Sequence, residues 1–217
     1  MLIQKGKQSI TESLKKVLLQ IAKEGPQTKY KIEKYTKVNH ASIHEAVKNL
    51  VNAGVLEGEQ IGKTRIGLPK TQYRLTFYGL CIALSVAEPK DYDKIIQKWK
   101  HLEPLLLGRW AYFKQKIGRK EAEDFIFQAS SAVKEYGSPE KAIECFTNTA
   151  MWRLIEWDPE QYKREGPKPG FEKWIEAFRA DPQLKKLAEK YIAEQLETAR
   201  ANMKWFLSLK RRFSKHS

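Results

Sequence analysis

Cysteine is scarce in this sequence, with only Cys81 and Cys145 among 217 residues. Neither belongs to a CxxC pair, and no histidine stands at metal-ligand spacing from either one. This scarcity excludes a disulfide framework and a zinc-ribbon site. Both thiols occur within apolar helical patterns, so we expect them to be buried and reduced, with a single disulfide between them as the alternative.

Long hydrophobic runs are also missing. No segment approaches the roughly 18 uninterrupted apolar residues that mark a membrane span. The start of the chain, MLIQKGKQS, lacks the apolar core of a signal peptide. We therefore expect a globular protein of the cytoplasm that has no membrane partner.

The motifs of common enzyme classes are absent as well. The sequence has no glycine-rich phosphate loop, no Gly-x-Ser-x-Gly elbow, and no metalloprotease or deaminase signature. We expect a protein that is not an enzyme and that uses no cofactor. An enzyme whose site lies in the helical region after residue 88 is the alternative.

Positive charge is what the sequence has in excess. The formal net charge is +14 and the pI is near 9.6, a balance typical of proteins that bind polyanions such as nucleic acid or an acidic membrane surface. The segment up to Ala87 holds 14 Lys and Arg against 6 Asp and Glu, and the remainder holds 26 against 20. The N-terminal segment is about twice as positive per residue, which places the predicted polyanion-binding surface there.

Two helices are predicted at the start of the chain. Residues 9–23 place apolar side chains at the spacing of an amphipathic helix, with Thr11 or Ser9 as its cap. Gly25-Pro26 ends this helix because proline cannot continue the hydrogen-bond ladder. Thr28 then caps a short second helix. The inward-facing residues of that helix are predicted to be Tyr30 or Lys31, Ile32 and Tyr35.

A third helix is predicted over residues 40–53. Asn39 or Ser42 opens it, and Gly54 supplies the left-handed residue that ends it. Its apolar stripe consists of Ile43, Val47, Leu50 and Val51. This stripe leaves the opposite face of the helix to polar side chains.

The next segment predicts a hairpin and a fourth helix. Two antiparallel strands, VLEGEQIG and TQYRLT, flank the basic connector KTRIGLPK, and Thr76 caps the helix FYGLCIALSVA. Three helices, a strand, a basic loop, a strand and a helix follow the order of a winged helix-turn-helix. We predict a mainly α fold with a small β-hairpin wing, divided into a winged helix-turn-helix domain over residues 1–87 and an all-α domain over residues 88–217.

Short motifs mark the end of the third helix and the returning strand. They comprise Leu50, Gly54, Val55 and Leu56, then Tyr73, Leu75, Thr76 and Gly79. The pattern resembles the winged-helix transcription regulators of the MarR, PadR and related prokaryotic and archaeal families. Those proteins show a recognition helix ending in Leu-x-x-x-Gly-Leu/Val-Leu, a basic wing and a closing Tyr-x-Leu-Thr-x-x-Gly. The resemblance implies a DNA-binding regulator, and it covers the N-terminal part of the chain alone.

In winged-helix geometry the third helix enters the major groove with its outward residues. These residues are His40, Ala41, Ser42, His44, Glu45, Lys48 and Asn49. Imidazole, hydroxyl and amide groups can bond base edges or phosphate, and Ala41 can meet a thymine methyl group. Lys48 suits phosphate, whereas Glu45 fits only where it accepts a hydrogen bond from cytosine. A plain solvated helix face is the alternative.

The predicted wing is cationic. Lys63, Arg65, Lys70 and Arg74 carry four positive charges in a stretch without an acidic residue, which suits phosphate binding. A hairpin loop that is basic only for solubility is the alternative. Lys29 and Lys31 on the second helix are expected to contact the DNA backbone.

Two clusters resemble metal or acid/base sites. His40 and His44 stand four residues apart on a helix, but the sequence fixes no third ligand, so we expect no metal. Glu121, Glu123 and Asp124 fit the positively charged start of a helix better than a catalytic cluster.

Residues 88–217 are predicted to be helical almost throughout. Ser138-Pro139 is predicted to start one helix, and Asp181-Pro182 to start a last helix that ends near Phe213. Apolar residues recur along the last helix at spacings of three and four, as in helices that form dimers in relatives of winged-helix regulators, so we expect a homodimer. The many aromatic residues predict a core, with a pocket for a small-molecule effector or a surface for a protein partner as further possibilities.

The leading interpretation is a sequence-selective transcription regulator that binds double-stranded DNA. Two alternatives keep the fold. One is a protein that binds nucleic acid without sequence preference, and the other is a protein-interaction subunit of a larger nucleic-acid machine.

Overall fold

The computed structural model describes residues 11–63, 67, 69–155, 164, 166 and 170–214, and it describes no side chains for residues 153–155 and 214. The chain divides into two compact units, Met1–Ala150 and Met151–Ser217. The expected domain boundary at residue 87 lies inside the first unit. A separate domain over residues 1–87 stays a prediction.

Helix α1, Glu12–Glu24, begins and ends where local chemistry requires. Of the two expected caps, Thr11 takes the role, and its hydroxyl accepts a hydrogen bond from the Leu14 N–H at 3.4 Å. Gly25, at φ +89°, donates its N–H to Ile21 O and ends the helix. The apolar face of α1 is buried, which confirms the predicted amphipathic pattern.

Helices α2, Lys29–Thr36, and α3, His40–Asn52, are joined by a short turn with Lys37 at φ +55°. Thr28 caps α2, and the Asn39 side chain caps α3 by accepting from the Ser42 N–H at 2.8 Å. Asn39 is therefore the cap of the two that were expected. The buried residues of these helices are Ile32, Ile43, Ala46, Val47 and Leu50.

Three expectations for these helices are wrong. Either Tyr30 or Lys31 was expected to face inward, but both are exposed. Tyr35, expected to face inward, is 60% exposed, and Val51, assigned to the apolar stripe, is 37% exposed. Ala46 occupies the buried position instead, because the face of α3 that packs on α1 runs through Ile43, Ala46, Val47 and Leu50.

Strands β1, Leu56–Lys63, and β2, Pro69–Leu75, form an antiparallel hairpin. Leu56 pairs with Leu75, and the register shifts between Gln60 and Lys63. Gln27, between α1 and α2, exchanges backbone hydrogen bonds with Tyr73 at 3.0 and 2.8 Å. These bonds attach the hairpin to the helices that precede it.

Helix α4, Phe77–Val86, starts at the predicted cap, where the Thr76 hydroxyl accepts from the Gly79 N–H at 3.0 Å. The same hydroxyl donates to Gly54 O at 2.6 Å. A Cβ on Gly79 would lie 1.9 Å from Val55 O. Glycine is required there because α4 approaches the start of β1 at backbone distance.

Helices α5, Tyr92–Trp99, α6, Trp110–Ile117, α7, Arg119–Tyr136, and α8, Ala142–Ile155, follow α4. Helix α7 packs along α4, and α5 packs on α1, where the Trp99 indole donates to Ala22 O at 2.8 Å. The Phe146 ring lies 5.5 Å from Phe77 and 6.3 Å from Phe125. Within the first unit, α5, α7 and Phe146 of α8 thus pack against helices of the predicted winged helix.

Two smaller expectations in this unit need correction. Ser138-Pro139 does not start a helix: it forms a turn, and α8 begins at Ala142. Both cysteines are free, but Cys145 is only half-buried, whereas Cys81 is fully buried, and burial raises the pKa of the Cys81 thiol well above its ordinary range.

The second unit contains helices α9, Phe171–Ala180, and α10, Pro182–Ser214, which pack on each other. The Asp181 carboxylate accepts from the N–H groups of Gln183 and Leu184 at 2.9 and 3.1 Å. It caps α10 as the sequence predicted, and the extent of this helix is confirmed. The buried residues of the pair are Trp174, Ala177, Phe178, Leu184 and Ala188.

Candidate nucleic-acid interface

The outward face of α3 contains the predicted DNA-contacting residues. The exposed ones are His40, Ala41, His44, Glu45 and Lys48, and the half-buried ones are Ser42 and Asn49. Because the opposite face packs on α1, the helix is held in place while this face stays open to solvent. The surface is polar, and only Lys48 adds a fixed positive charge to it.

His44 is bonded to a lysine of the neighbouring helix. The Lys29 ammonium lies 2.9 Å from His44 Nδ1. An ammonium group can only donate, so Nδ1 must accept, and the proton of the neutral ring stands on Nε2. Desolvation, and then the charges of Lys29 and His40, lower the pKa of His44 below its ordinary value of 6.5. The ring is therefore held neutral, with its free nitrogen as a donor.

His40 has the opposite arrangement. Its Nδ1 lies 2.9 Å from a carboxylate oxygen of Glu33 on α2. The carboxylate accepts, so Nδ1 carries the proton, and Nε2 of the neutral ring is an acceptor. The rings of His40 and His44 lie 4.6 Å apart. With both rings neutral, one turn of α3 presents a donor on His44 and an acceptor on His40 side by side.

Lys29 also links α2 to the hairpin. Its ammonium lies 5.6 Å from the centre of the Tyr73 ring, a cation–π distance. The Tyr73 ring lies over Gly58, where a Cβ would come within 3.3 Å of it. Helix α2, helix α3 and the hairpin thus share one polar network, which the sequence did not reveal.

The predicted wing is only partly available for phosphate. Lys63 and Lys70 are exposed near the ends of β1 and β2, and Arg65 lies outside the described residues. Arg74 bonds Glu57 at 2.8 Å and stands 3.9 Å from Glu59. Its charge is balanced across the strands, although no acidic residue is near it in the sequence.

Two tyrosines on α2 are exposed, as lysines of the same helix are. Tyr30 is 73% and Tyr35 60% exposed, and the Lys34 ammonium lies 5.9 Å from the Tyr35 ring centre. Lys31 is exposed on the same helix. From the sequence we expected Tyr35, and either Tyr30 or Lys31, to face the core. The placement of the tyrosines between lysines on a short helix was the signal for a surface role.

Within the part of the chain that the structure describes, no three His, Cys, Asp or Glu side chains form a group that could hold a metal ion. The carboxylates of Glu121, Glu123 and Asp124 lie on α7, where Glu123 pairs with Arg119 at 2.7 Å. Among the described residues, no helix combines the length and apolar character needed to cross a bilayer.

Comparison of the chain with protein-family models, with curated proteins and with solved structures found no match. The class of fold is therefore judged from the arrangement of helices and strands. It is mainly helical, with a two-stranded antiparallel hairpin after three helices, which is compatible with a winged-helix layout.

Proposed function

We propose that this protein is a transcription regulator that binds double-stranded DNA with sequence selectivity, and that it is not an enzyme. The observation that carries the proposal is the outward face of α3. It is polar and exposed, and its two histidines are fixed by residues of α2. A solvated helix face needs no such fixed partners. Recognition of base edges, in contrast, requires side chains whose hydrogen-bond donors and acceptors are fixed at defined positions.

The histidines define which base edges the face would recognise. His44 offers an Nε2–H donor, which suits purine N7, guanine O6 or thymine O4 in the major groove. His40 offers an Nε2 acceptor, which suits the amino groups of adenine or cytosine. We expect adjacent base pairs with an acceptor for His44 and a donor for His40.

Phosphate contacts would provide most of the affinity. The cations expected to make them are Lys31, Lys48, Lys63, Arg65 and Lys70. Arg74 is expected to contribute less than the other cations, because Glu57 already balances its charge. Each phosphate neutralised by a lysine or arginine adds about −0.9 to the slope of log affinity against log salt.

The test is fluorescence anisotropy of the full chain with the duplex upstream of its own gene and with a random duplex, across a salt series. We expect a preference of about 100-fold or more for the upstream duplex, within the range of specific regulators. Lys63→Ala/Arg65→Ala should make the salt slope shallower. Lys116→Ala/Lys120→Ala, which removes the same charge from α6 and α7, should not. Equal affinity for both duplexes would contradict selectivity.

A second candidate function is binding of nucleic acid without sequence preference. The exposed rings of Tyr30 and Tyr35 beside lysines favour it, because aromatic stacking on unpaired bases tolerates any sequence. A single-stranded competitor distinguishes the two: it should displace the duplex only if this second function holds. If neither nucleic acid binds near physiological salt, the face of α3 is a protein-contact surface, as in the machine-subunit alternative.

No function is proposed for the residues outside α3 and the wing beyond the predictions from sequence. A small-molecule effector or protein partner of residues 88–217 stays a prediction, and so does the cytoplasmic location.

A further inference from the structure

Helix α10 carries a solvent-facing stripe whose members are apolar except for one lysine. From residue 192 to 213 its members recur at alternating spacings of four and three, the repeat of a coiled-coil seam. The members are Ile192, Leu196, Ala199, Met203, Phe206, Lys210 and Phe213, named here the α10 seam. Its large apolar members are between 41% and 78% exposed.

The α10 seam is not the face by which α10 packs on α9. That contact uses Leu184 and Ala188 in the first two turns, and both are buried. The seam begins beyond them, and its large apolar side chains are exposed. Phe206 is 66% and Phe213 78% exposed. A stripe of this length is typical of a surface that another helix covers.

We propose that the α10 seam pairs with the α10 seam of a second copy of this chain, in antiparallel orientation. The proposal goes beyond DNA binding and does not depend on it. It also assigns a specific surface and orientation to the homodimer that the sequence led us to expect.

Charge along α10 favours a partner that runs the opposite way. From Thr198 to Ser214 there are five cationic residues and no acidic one: Arg200, Lys204, Lys210, Arg211 and Arg212. The glutamates of α10, at positions 189, 194 and 197, all precede that stretch. Parallel pairing would align two cationic halves. Antiparallel pairing places each cationic half beside the half that contains the three glutamates with three lysines, Lys185, Lys186 and Lys190, and so has no net charge.

The residues of the α10 seam also favour antiparallel over parallel pairing. In a parallel pair, Lys210 would face the same lysine of the other copy inside the interface, where like charges are unfavourable. In the antiparallel pair centred between Ala199 and Met203, Lys210 faces Ile192 of the second copy, one turn from Glu189. Small Ala199 then lies opposite large Met203, and Leu196 lies opposite Phe206, so the central layers fill without like-charge contact. At each end of the seam Phe213 lies opposite Glu189 of the second copy.

The first measurement is the solution mass of the full chain by light scattering across a dilution series. We expect twice the monomer mass of 25.3 kDa. Leu196→Glu/Phe206→Glu should give a monomer with an unchanged circular-dichroism spectrum. Ala201→Glu, which adds the same side chain to the opposite exposed face of α10, should remain a dimer. A monomeric wild type, or a dimer that survives the seam substitutions, would overturn the proposal.

The second measurement fixes the orientation. A spin label at Lys190→Cys, on the face of α10 away from the seam, is placed in a Cys145→Ser background that keeps the dimer mass. In the antiparallel pair residue 190 lies opposite residue 212, so the two labels are offset by about 33 Å along the axis at about 1.5 Å per residue. A parallel pair would bring them within about 20 Å, the width of two helices, and would overturn the orientation.

Other occupants of the α10 seam give distinct results. Cosedimentation of a monomeric wild type with vesicles of anionic lipid would assign the seam to a membrane surface and overturn self-pairing. Loss of DNA binding in a seam variant that is monomeric would support the dimer and add that DNA binding needs both copies. Failure of the wild type to bind DNA while it remains dimeric would contradict the proposed function and leave the seam proposal in place.

Discussion

Helix α4 and the C-terminal half of α10 are both rich in apolar side chains, but they have opposite surroundings. Every residue from Phe77 to Leu84 is buried, whereas five large apolar residues from Met203 to Phe213 are at least half exposed. Neighbouring elements explain the difference, because α1, β2, α5 and α7 all pack on α4. Apolar content predicts that a helix face is to be covered, and the tertiary structure decides whether the same chain covers it.

Two phenylalanines test this comparison with the largest expected effect. Phe146→Ala removes a ring that packs between Phe77 and Phe125, so it should lower the free energy of unfolding by about 3–5 kcal/mol. Phe206→Ala removes an exposed ring and should change it by less than about 0.5 kcal/mol. Urea unfolding followed by circular dichroism, at concentrations where the chain is monomeric, measures both. Similar losses in the two variants would mean that α10 is covered by its own chain.

Gly79 tests how closely the buried helix α4 packs against the start of β1. Gly79→Ala should lower the free energy of unfolding by about 1–3 kcal/mol, since its Cβ would meet the Val55 carbonyl oxygen and force α4 away from β1. Gly108→Ala is the matched control, because a Cβ there would lie at an ordinary 3.8 Å from Pro104. Thermal unfolding of the two variants provides the measurement. Equal melting temperatures would contradict the close approach of α4.

Local features of the fold could be predicted from the sequence. The caps at Thr28, Thr76 and Asp181 depend on a side chain and an N–H two or three residues away, and all three are confirmed. Exposure depends on distant partners instead. Tyr35 lies on a short helix of which only the Ile32 side is covered, and eight residues alone cannot show which side that is.

The candidate site was predictable as a set of positions but not as a network. Helical periodicity placed the outward residues of α3 on one face. The partner of Arg74 is on the other strand, so only the register of the hairpin could identify Glu57. Likewise, Lys29 meets His44 fifteen residues later in the chain, through the angle between α2 and α3.

The smallest expected effect is on the pH dependence of stability, and it arises at the exposed side chain of His44. Desolvation and the charge of Lys29 lower its pKa in the folded state below the ordinary 6.5. The unfolded chain therefore takes up this proton at a higher pH than the folded one, so the folded state loses stability as the pH falls through 6.5, until His44 is protonated in both states. Well above pH 6.5 His44 is neutral in both states, so its titration does not change the free energy of unfolding. The loss should be small because the side chain is exposed.

The measurement is the difference in melting temperature between the wild type and His44→Gln from mildly alkaline to mildly acidic pH, which removes the effect of all other titrating groups. The glutamine can still accept from Lys29 and takes up no proton. We expect the wild type to lose stability relative to the variant only on the acidic side. A difference that is constant with pH would mean that Lys29 does not hold His44 neutral, and the donor assigned to its Nε2 would lose its support.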